Sequence, residues 1–126
     1  MQQAALYLAA LLLVGISVAH SYLGERYLLM RLFRRCELPK LFGSAEYTQR
    51  TLRFAWHVTS VAWLGFAALL MLAARAPLST AALGWATAAV FGAHFAIALV
   101  GSRGRHYSWV VFLAVALLAV AALPSG

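Results

Sequence analysis

Four apolar runs constrain this chain more than any other feature. They cover residues 4–23, 54–74, 81–100 and 107–123. The hydrocarbon core of a bilayer is about 30 Å thick, and about 20 helical residues cross it. Backbone groups in lipid must be hydrogen-bonded within the protein, so each run is predicted to be a helix. The sequence therefore predicts an all-α fold, a four-helix transmembrane bundle that forms one domain over residues 1–126.

The composition and the connections between the runs agree with a membrane protein. Only 10% of the residues are charged, whereas a soluble domain carries about 25%. Pro39 and Gly43 interrupt the first connection, Pro77 the second, and the glycine-rich G-S-R-G-R the third. The start, M-Q-Q-A-A, has no basic residue, so we expect the first run to be retained as a helix rather than cleaved as a signal peptide.

The basic residues indicate the orientation in the membrane. All but one flank the first or the third connection: Arg26, Arg31, Arg34, Arg35, Lys40, Arg50, Arg53, Arg103 and Arg105. Arg75 alone lies at the other end. The positive-inside rule then predicts a multi-pass protein of a bacterial cytoplasmic (inner) membrane, with both termini on the non-cytoplasmic side. Expected partners are the lipid bilayer and its anionic headgroups, with a homo-oligomer or a larger membrane complex also open. A nucleic acid is not expected, because the basic residues are divided among short segments beside the spans.

The histidines are the main candidates for function. His20, His57, His94 and His106 lie one on each predicted helix, all toward the same basic end. On the first helix, His20 shares a face with Gly24, and Ser21 and Glu25 lie just beside it. Such polar stripes are expected to face the inside of a bundle, because a lipid-facing imidazole would lack hydrogen-bond partners. Trp56 and Trp109 fit an interfacial aromatic belt.

One hypothesis is that the histidines of different helices bind one shared ligand. His20, His57 and His94 would bind haem b or a transition metal, with His106 and Glu25 as auxiliary ligands, because neutral imidazole binds zinc, copper, nickel and iron. The haem propionates would pair with nearby arginines: Arg50, Arg53, Arg103 and Arg105. Electron transfer, metal handling and sensing are the roles that such a site would serve. Cys36 is the only cysteine, which excludes a thiolate metal cluster and an intrachain disulfide.

Two other interpretations remain open. The histidines and Glu25 can form a proton pathway of a small proton-coupled transporter, since ionisable groups inside membranes often mark ion routes. Alternatively, each histidine bonds a neighbouring helix and stabilises a scaffold or an accessory subunit of a membrane complex. Ser17, Ser60 and Thr87 either orient the imidazoles or bond their own helix. No phosphate-binding loop, serine elbow or paired-carboxylate motif is present, so whether the protein is an enzyme stays open.

Two short segments of the sequence resemble those of other membrane proteins. H-S-Y-L-G-E-R at residues 20–26 and L-R-F-A-W-H at residues 52–57 are similar to uncharacterised small bacterial membrane proteins with four predicted spans. The resemblance covers the first half of the chain. It implies a four-span integral membrane protein and brings no activity with it.

Overall fold

The structure, a computed structural model, describes residues 1–35 and 37–123, and Cys36 lies outside the described residues. It is helical, with no strand in these two ranges. The helices in these ranges are α1, Gln2–Phe33; α2, Ala45–Arg75; α3, Thr80–Ser102; and α4, Ser108–Ala121. A short 3-10 turn, Leu41–Gly43, lies between α1 and α2. The predicted all-α fold class is confirmed.

Three of the helices are long and apolar enough to cross a membrane. They are α1 with 32 residues, α2 with 31 and α3 with 23, whereas α4 has 14. Both α1 and α2 exceed the predicted spans at the basic end. In α2 the extra turns begin at Ala45, where Glu46 and Arg50 form an i,i+4 ion pair of 2.9 Å. Such pairs stabilise helix outside lipid, so hydropathy marks where a span begins and not where its helix begins.

Serine side chains fix the starts of α2 and α3. Ser44 Oγ accepts a hydrogen bond from the Tyr47 backbone N–H at 3.2 Å, and Ser79 Oγ accepts one from the Ala82 N–H at 3.1 Å. Each bond satisfies one of the N–H groups that a first helical turn leaves free. At the other end of α3, Arg103 adopts a left-handed conformation (φ 53°) that ends the helix.

The helices pack in chain order: α1 against α2, α2 against α3, and α3 against α4. Small residues fill the contacts, with Ser17 exposed by 1% and Ala98 by 0%. Large aliphatic residues point outward, such as Leu11 and Leu118, both 69% exposed. Small side chains inside and leucines outside are typical of helices that associate in lipid, where close backbone approach is what stabilises the contact.

The close approach of α2 and α3 generates a prediction at Gly101. A Cβ added there would lie 2.7 Å from the Phe54 Cβ, closer than two carbon atoms can pack. We therefore expect Gly101→Ala to lower the free energy of unfolding by about 1–3 kcal/mol, because the two helices must move apart. Thermal unfolding of the detergent-solubilised protein measures this.

Gly92 on the same helix is the matched control. A Cβ at Gly92 meets nothing within 4 Å. Gly92→Ala should therefore leave stability unchanged or raise it by up to about 1 kcal/mol through helix propensity. Equal effects of the two substitutions would contradict the packing described here.

Candidate functional site

Polar side chains of α1 and α2 meet at the basic end of their interface. His20, Ser21 and Glu25 come from α1, and His57 and Ser60 come from α2. On each helix these residues are spaced by one, three, four or five positions, which keeps them on adjoining parts of one face. We refer to these five residues as the histidine–serine chain.

Each member of the histidine–serine chain contacts the next one. Glu25 Oε2 lies 3.4 Å from His57 Nε2, and His57 Nδ1 lies 3.0 Å from Ser21 Oγ. Ser21 Oγ lies 2.9 Å from Ser60 Oγ, which in turn lies 3.0 Å from His20 Nδ1. Ser60 is buried, whereas the Glu25 and His57 side chains each keep 31% of their surface exposed. The chain thus runs from a half-exposed carboxylate to an imidazole deeper in the interface.

The hydrogen bonds of the histidine–serine chain can form with either of two donor–acceptor directions. If Ser21 donates to Ser60, Ser60 donates to His20 Nδ1, and Ser21 must accept from His57 Nδ1–H. The contact between His57 Nε2 and Glu25 then holds one further proton. In the reverse direction, His20 Nδ1–H donates to Ser60, Ser60 to Ser21, and Ser21 to His57 Nδ1, while His57 Nε2–H donates to Glu25. Hydroxyls and imidazoles permit both, because each can donate and accept.

Arg53 balances the charge at the outer end of the chain. Its Nη2 lies 2.9 Å from Glu25 Oε1, and its Nε donates to Glu25 Oε2 at 3.2 Å. Such bidentate pairing fixes the orientation of the carboxylate plane and keeps a positive charge beside the carboxylate. The guanidinium also lies 5.0 Å from the centre of the Phe33 ring. Glu25 therefore bridges the Arg53 guanidinium and the His57 imidazole.

Two tryptophans of α2 hold His20 in place. The Trp56 indole stacks on the His20 ring at 4.3 Å between centroids, and Trp63 meets the ring edge-on at 4.9 Å. Trp56 Nε1–H also donates to the His20 backbone carbonyl at 2.9 Å. At this point α1 widens into a π-helical turn, Gly24–Leu29. A side chain bonded into the carbonyl ladder is a recognised cause of such distortion, and π turns are frequent at functional sites.

Gly24 is required by this arrangement. A methyl group at Gly24 would overlap the indole of Trp56. The absence of a side chain therefore lets the tryptophan approach the α1 backbone closely enough to bond the His20 carbonyl. The sequence interpretation placed Gly24 on the same helical face as His20, and the structure shows that face packed against Trp56.

The other two histidines lie elsewhere. His94 of α3 is 5% exposed and its Nε2 donates to the Val58 carbonyl of α2 at 3.0 Å. His106 lies in the connection before α4, where its Nδ1 is 2.9 Å from Ser108 Oγ and its ring meets Phe54 edge-on. The structure thus brings together His20, His57 and Glu25 of the predicted ligands and places the remaining two at separate positions.

The four arginines predicted to bind propionates lie along the basic end. Arg53 pairs with Glu25, as described. Glu46 accepts from Arg50 at 2.9 Å and from Arg103 at 3.5 Å, and Arg105 lines a surface hollow beside His106. Among residues 1–35 and 37–123, no group of three or more His, Cys, Asp or Glu side chains is arranged to hold a metal ion.

An open groove gives access to the outer end of the chain. It lies between α2 and α3, has a volume of about 790 Å³, and is lined by Arg50, Arg53 and His57 on one side. Ile97 and Val100 line the other side. His57 therefore contacts both the interior of the α1–α2 interface and a space reachable from the surface.

Sequence reasoning missed two links of this site. Ser21 was placed beside the histidine face without a partner, and Trp56 was assigned only to an interfacial belt. The spacing carried a signal for the first: a serine follows His20 by one position and His57 by three, so each helix offers a hydroxyl next to its imidazole. No pattern in the sequence indicates the bond from Trp56 to a backbone carbonyl.

Comparisons with protein-family models, with curated proteins and with solved structures found no match to this chain. The resemblance to small four-span bacterial membrane proteins therefore stays a prediction, and the site is interpreted from its own geometry.

The bond from Trp56 to α1 yields a prediction. Trp56→Phe keeps an aromatic ring against His20 and removes the indole N–H. We expect a loss of about 0.5–1.5 kcal/mol in the free energy of unfolding, the net contribution of one hydrogen bond, measured by unfolding in detergent.

Trp85 serves as the reference residue for this substitution. Its side chain is exposed on α3, so Trp85→Phe should change the stability little. If Trp56→Phe proved as harmless as Trp85→Phe, the indole N–H would not support the π turn.

Proposed function

We propose that this protein is an integral membrane protein that moves protons along the histidine–serine chain, as part of a small proton-coupled transporter. One observation carries the proposal: five side chains form an unbroken series of contacts of 2.9–3.4 Å across the α1–α2 interface. Ionisable groups at membrane depth often mark proton relays.

The chemistry of each member suits proton transfer. An imidazole ring has two nitrogens, so His57 and His20 can each accept a proton on one side of the ring and donate one from the other. The hydroxyls of Ser21 and Ser60 carry a proton onward by accepting on one side while donating on the other. Passing the His57 Nδ1 proton to Ser21, the Ser21 proton to Ser60 and the Ser60 proton to His20 Nδ1 reverses every hydrogen bond in between and leaves the proton between His57 Nε2 and Glu25 in place. The two directions described above are the states before and after that transfer.

The dimensions support an access path rather than a complete channel. Five residues of helix separate Glu25 from His20, a rise of about 7.5 Å, which is a fraction of the roughly 30 Å hydrocarbon core. Farther along α1, Ser17 Oγ donates to its own helix at the Leu13 carbonyl at 2.6 Å. A proton reaching His20 would therefore cross the rest of the membrane only through a conformational change that opens His20 to the opposite side, as in a transporter with alternating access.

The same proposal includes the orientation. We place the basic end, with Arg50, Arg53 and the groove, at the cytoplasmic surface of a bacterial inner membrane, and both termini on the opposite side. All four helices would then span. With 14 residues, α4 extends about 21 Å, so it would need local bilayer thinning or a tilt of its neighbours to complete the fourth span.

Proton movement through the chain is testable in vesicles. We expect purified protein in liposomes to dissipate an imposed pH gradient faster than empty liposomes, followed by an enclosed pH-sensitive dye. Ser60→Ala should slow this flux about tenfold, because a broken link that raises the barrier by about 1.4 kcal/mol lowers a rate tenfold. His57→Ala should have at least the same effect.

Thr59→Ala is the matched control. Thr59 is exposed and its hydroxyl bonds the Ala55 carbonyl of its own helix, so removal of that hydroxyl leaves the chain intact. Flux equal to that of empty vesicles, or an equal loss in Thr59→Ala and Ser60→Ala, would rule out the relay.

A haem or transition-metal site is the second candidate. The observation in its favour is that His20, His57 and Glu25, three of the predicted ligands, share one interface. Neutral imidazoles and a carboxylate are suitable ligands for such metals. Against it, both Nδ1 atoms contact serine hydroxyls and Glu25 is held by Arg53, so ligation would have to use the remaining atoms.

Elemental analysis and an absorption spectrum of the purified protein decide between the candidates. A stoichiometric metal, or a Soret band, that is lost in His20→Ala and in His57→Ala would establish the ligand site. Under the relay proposal, we expect a preparation with neither.

A further inference from the structure

A second polar feature lies at the basic end of the bundle and shares no residue with the histidine–serine chain. It is a surface hollow of about 950 Å³. The connection between α3 and α4 lines it with Arg103, Arg105 and His106. Phe42 of the 3-10 turn and Tyr47 of α2 line it as well. We refer to it as the basic hollow.

The basic hollow has a surplus of positive charge. Among the described residues that line it, none is an Asp or a Glu. Within residues 1–35 and 37–123, Arg105 makes no ion pair, and Arg103 makes one, with its Nη1 3.5 Å from Glu46 Oε1. The same Oε1 atom lies closer, at 2.9 Å, to Arg50 Nε. One carboxylate therefore serves two arginines, and the hollow can accept an anion.

The arginine side chains of the hollow can be reached from outside. The Arg103 side chain keeps 68% of its surface exposed, and Arg105 is also exposed. The two residues are two positions apart in the same short connection. Guanidinium groups bind phosphate well, because their planar N–H donors match pairs of phosphate oxygens. The hollow therefore suits a phosphate group.

Polarity falls along the chain beyond the arginines. Tyr107 is 79% exposed, and Val111, in the first turn of α4, is 61% exposed. Both line the hollow. Cationic, phenolic and aliphatic groups thus follow one another in the order that matches a phospholipid from its phosphate to its acyl chains. Tyrosines are enriched at headgroup level, and basic pockets beside membrane helices bind anionic headgroups.

We propose that the basic hollow binds one anionic phospholipid, with its phosphate at Arg103 and Arg105 and its acyl chains against Tyr107 and Val111. A soluble phosphate would use the arginines and leave the apolar part of the hollow uncovered. A zwitterionic phospholipid would bring an ammonium group for which the described lining residues offer no carboxylate. The site requires that the protein lies in a membrane, and it is independent of the proton relay.

Native mass spectrometry of the detergent-solubilised protein counts the lipids that bind. Titrations compare phosphatidylglycerol with phosphatidylcholine carrying the same acyl chains. We expect one phosphatidylglycerol to bind about tenfold more tightly than phosphatidylcholine, because only phosphatidylglycerol has a net negative charge for the two arginines. Equal affinity of the wild-type protein for the two lipids would overturn the proposal.

A pair of double variants separates a site from general attraction. Arg103→Gln with Arg105→Gln should lower the affinity for phosphatidylglycerol about tenfold and leave that for phosphatidylcholine unchanged. Both positions are exposed, so the helix packing is kept. The matched control, Arg26→Gln with Arg31→Gln, removes the same charge but lines a different hollow, and it should keep the affinity. An equal loss in both double variants would mean attraction to net charge and would contradict a site.

A soluble competitor tests the role of the acyl chains. Glycerol 3-phosphate carries the phosphate without the chains that pack against Tyr107 and Val111. We expect bound phosphatidylglycerol to remain in a large excess of this competitor. Displacement of the lipid by glycerol 3-phosphate would assign the hollow to a soluble anion instead.

Discussion

Apolar side chains cannot form hydrogen bonds, so polar groups between these apolar helices need partners from the protein itself. At the α1–α2 interface the contact of 2.9 Å between Ser21 and Ser60 meets that need. Each hydroxyl also serves one imidazole, Ser21 that of His57 and Ser60 that of His20. The two serines thus connect His57 to His20. The position of His20 goes together with the stacking of Trp56 on its ring and with the π turn that follows in α1.

The central helix α2 separates two polar environments. Toward α1 it presents Ser60 and His57, and toward α3 it presents the Val58 carbonyl, which accepts from His94. Because α1 packs on α2 rather than on α3, histidines at similar positions along the helices do not converge on one site. The interface of α1 with α2 and the interface of α2 with α3 therefore each contain a histidine with its own hydrogen-bond partner, Ser60 for His20 and the Val58 carbonyl for His94.

Much of the fold was predictable, and part of the site was as well. Hydropathy and chain length indicated the apolar helices, and the connections with Pro39, Pro77 and Gly104 lie between them as expected, although Gly101 and Ser102 of the predicted turn belong to α3. The stripe containing His57 and Ser60 was visible from helical spacing. Which histidines share an interface was not, because periodicity defines a face on each helix and says nothing about which neighbour covers it. The 14-residue length of α4 also differs from the longer run that hydropathy indicated, since Tyr107 and Ala122 are apolar or aromatic but lie outside the helix.

The π turn of α1 also uncouples the number of residues in the helix from the direction in which its side chains face. A π turn completes about one revolution with one residue more than an α turn. Deleting one residue between Gly24 and Leu29 would therefore restore a regular α-helix and leave Arg31 and its neighbours on nearly the same side of it. The same deletion in a regular stretch of α1 would rotate everything after it by about 100°. The π turn is thus the place where α1 can gain or lose one residue without changing which side chains face α2.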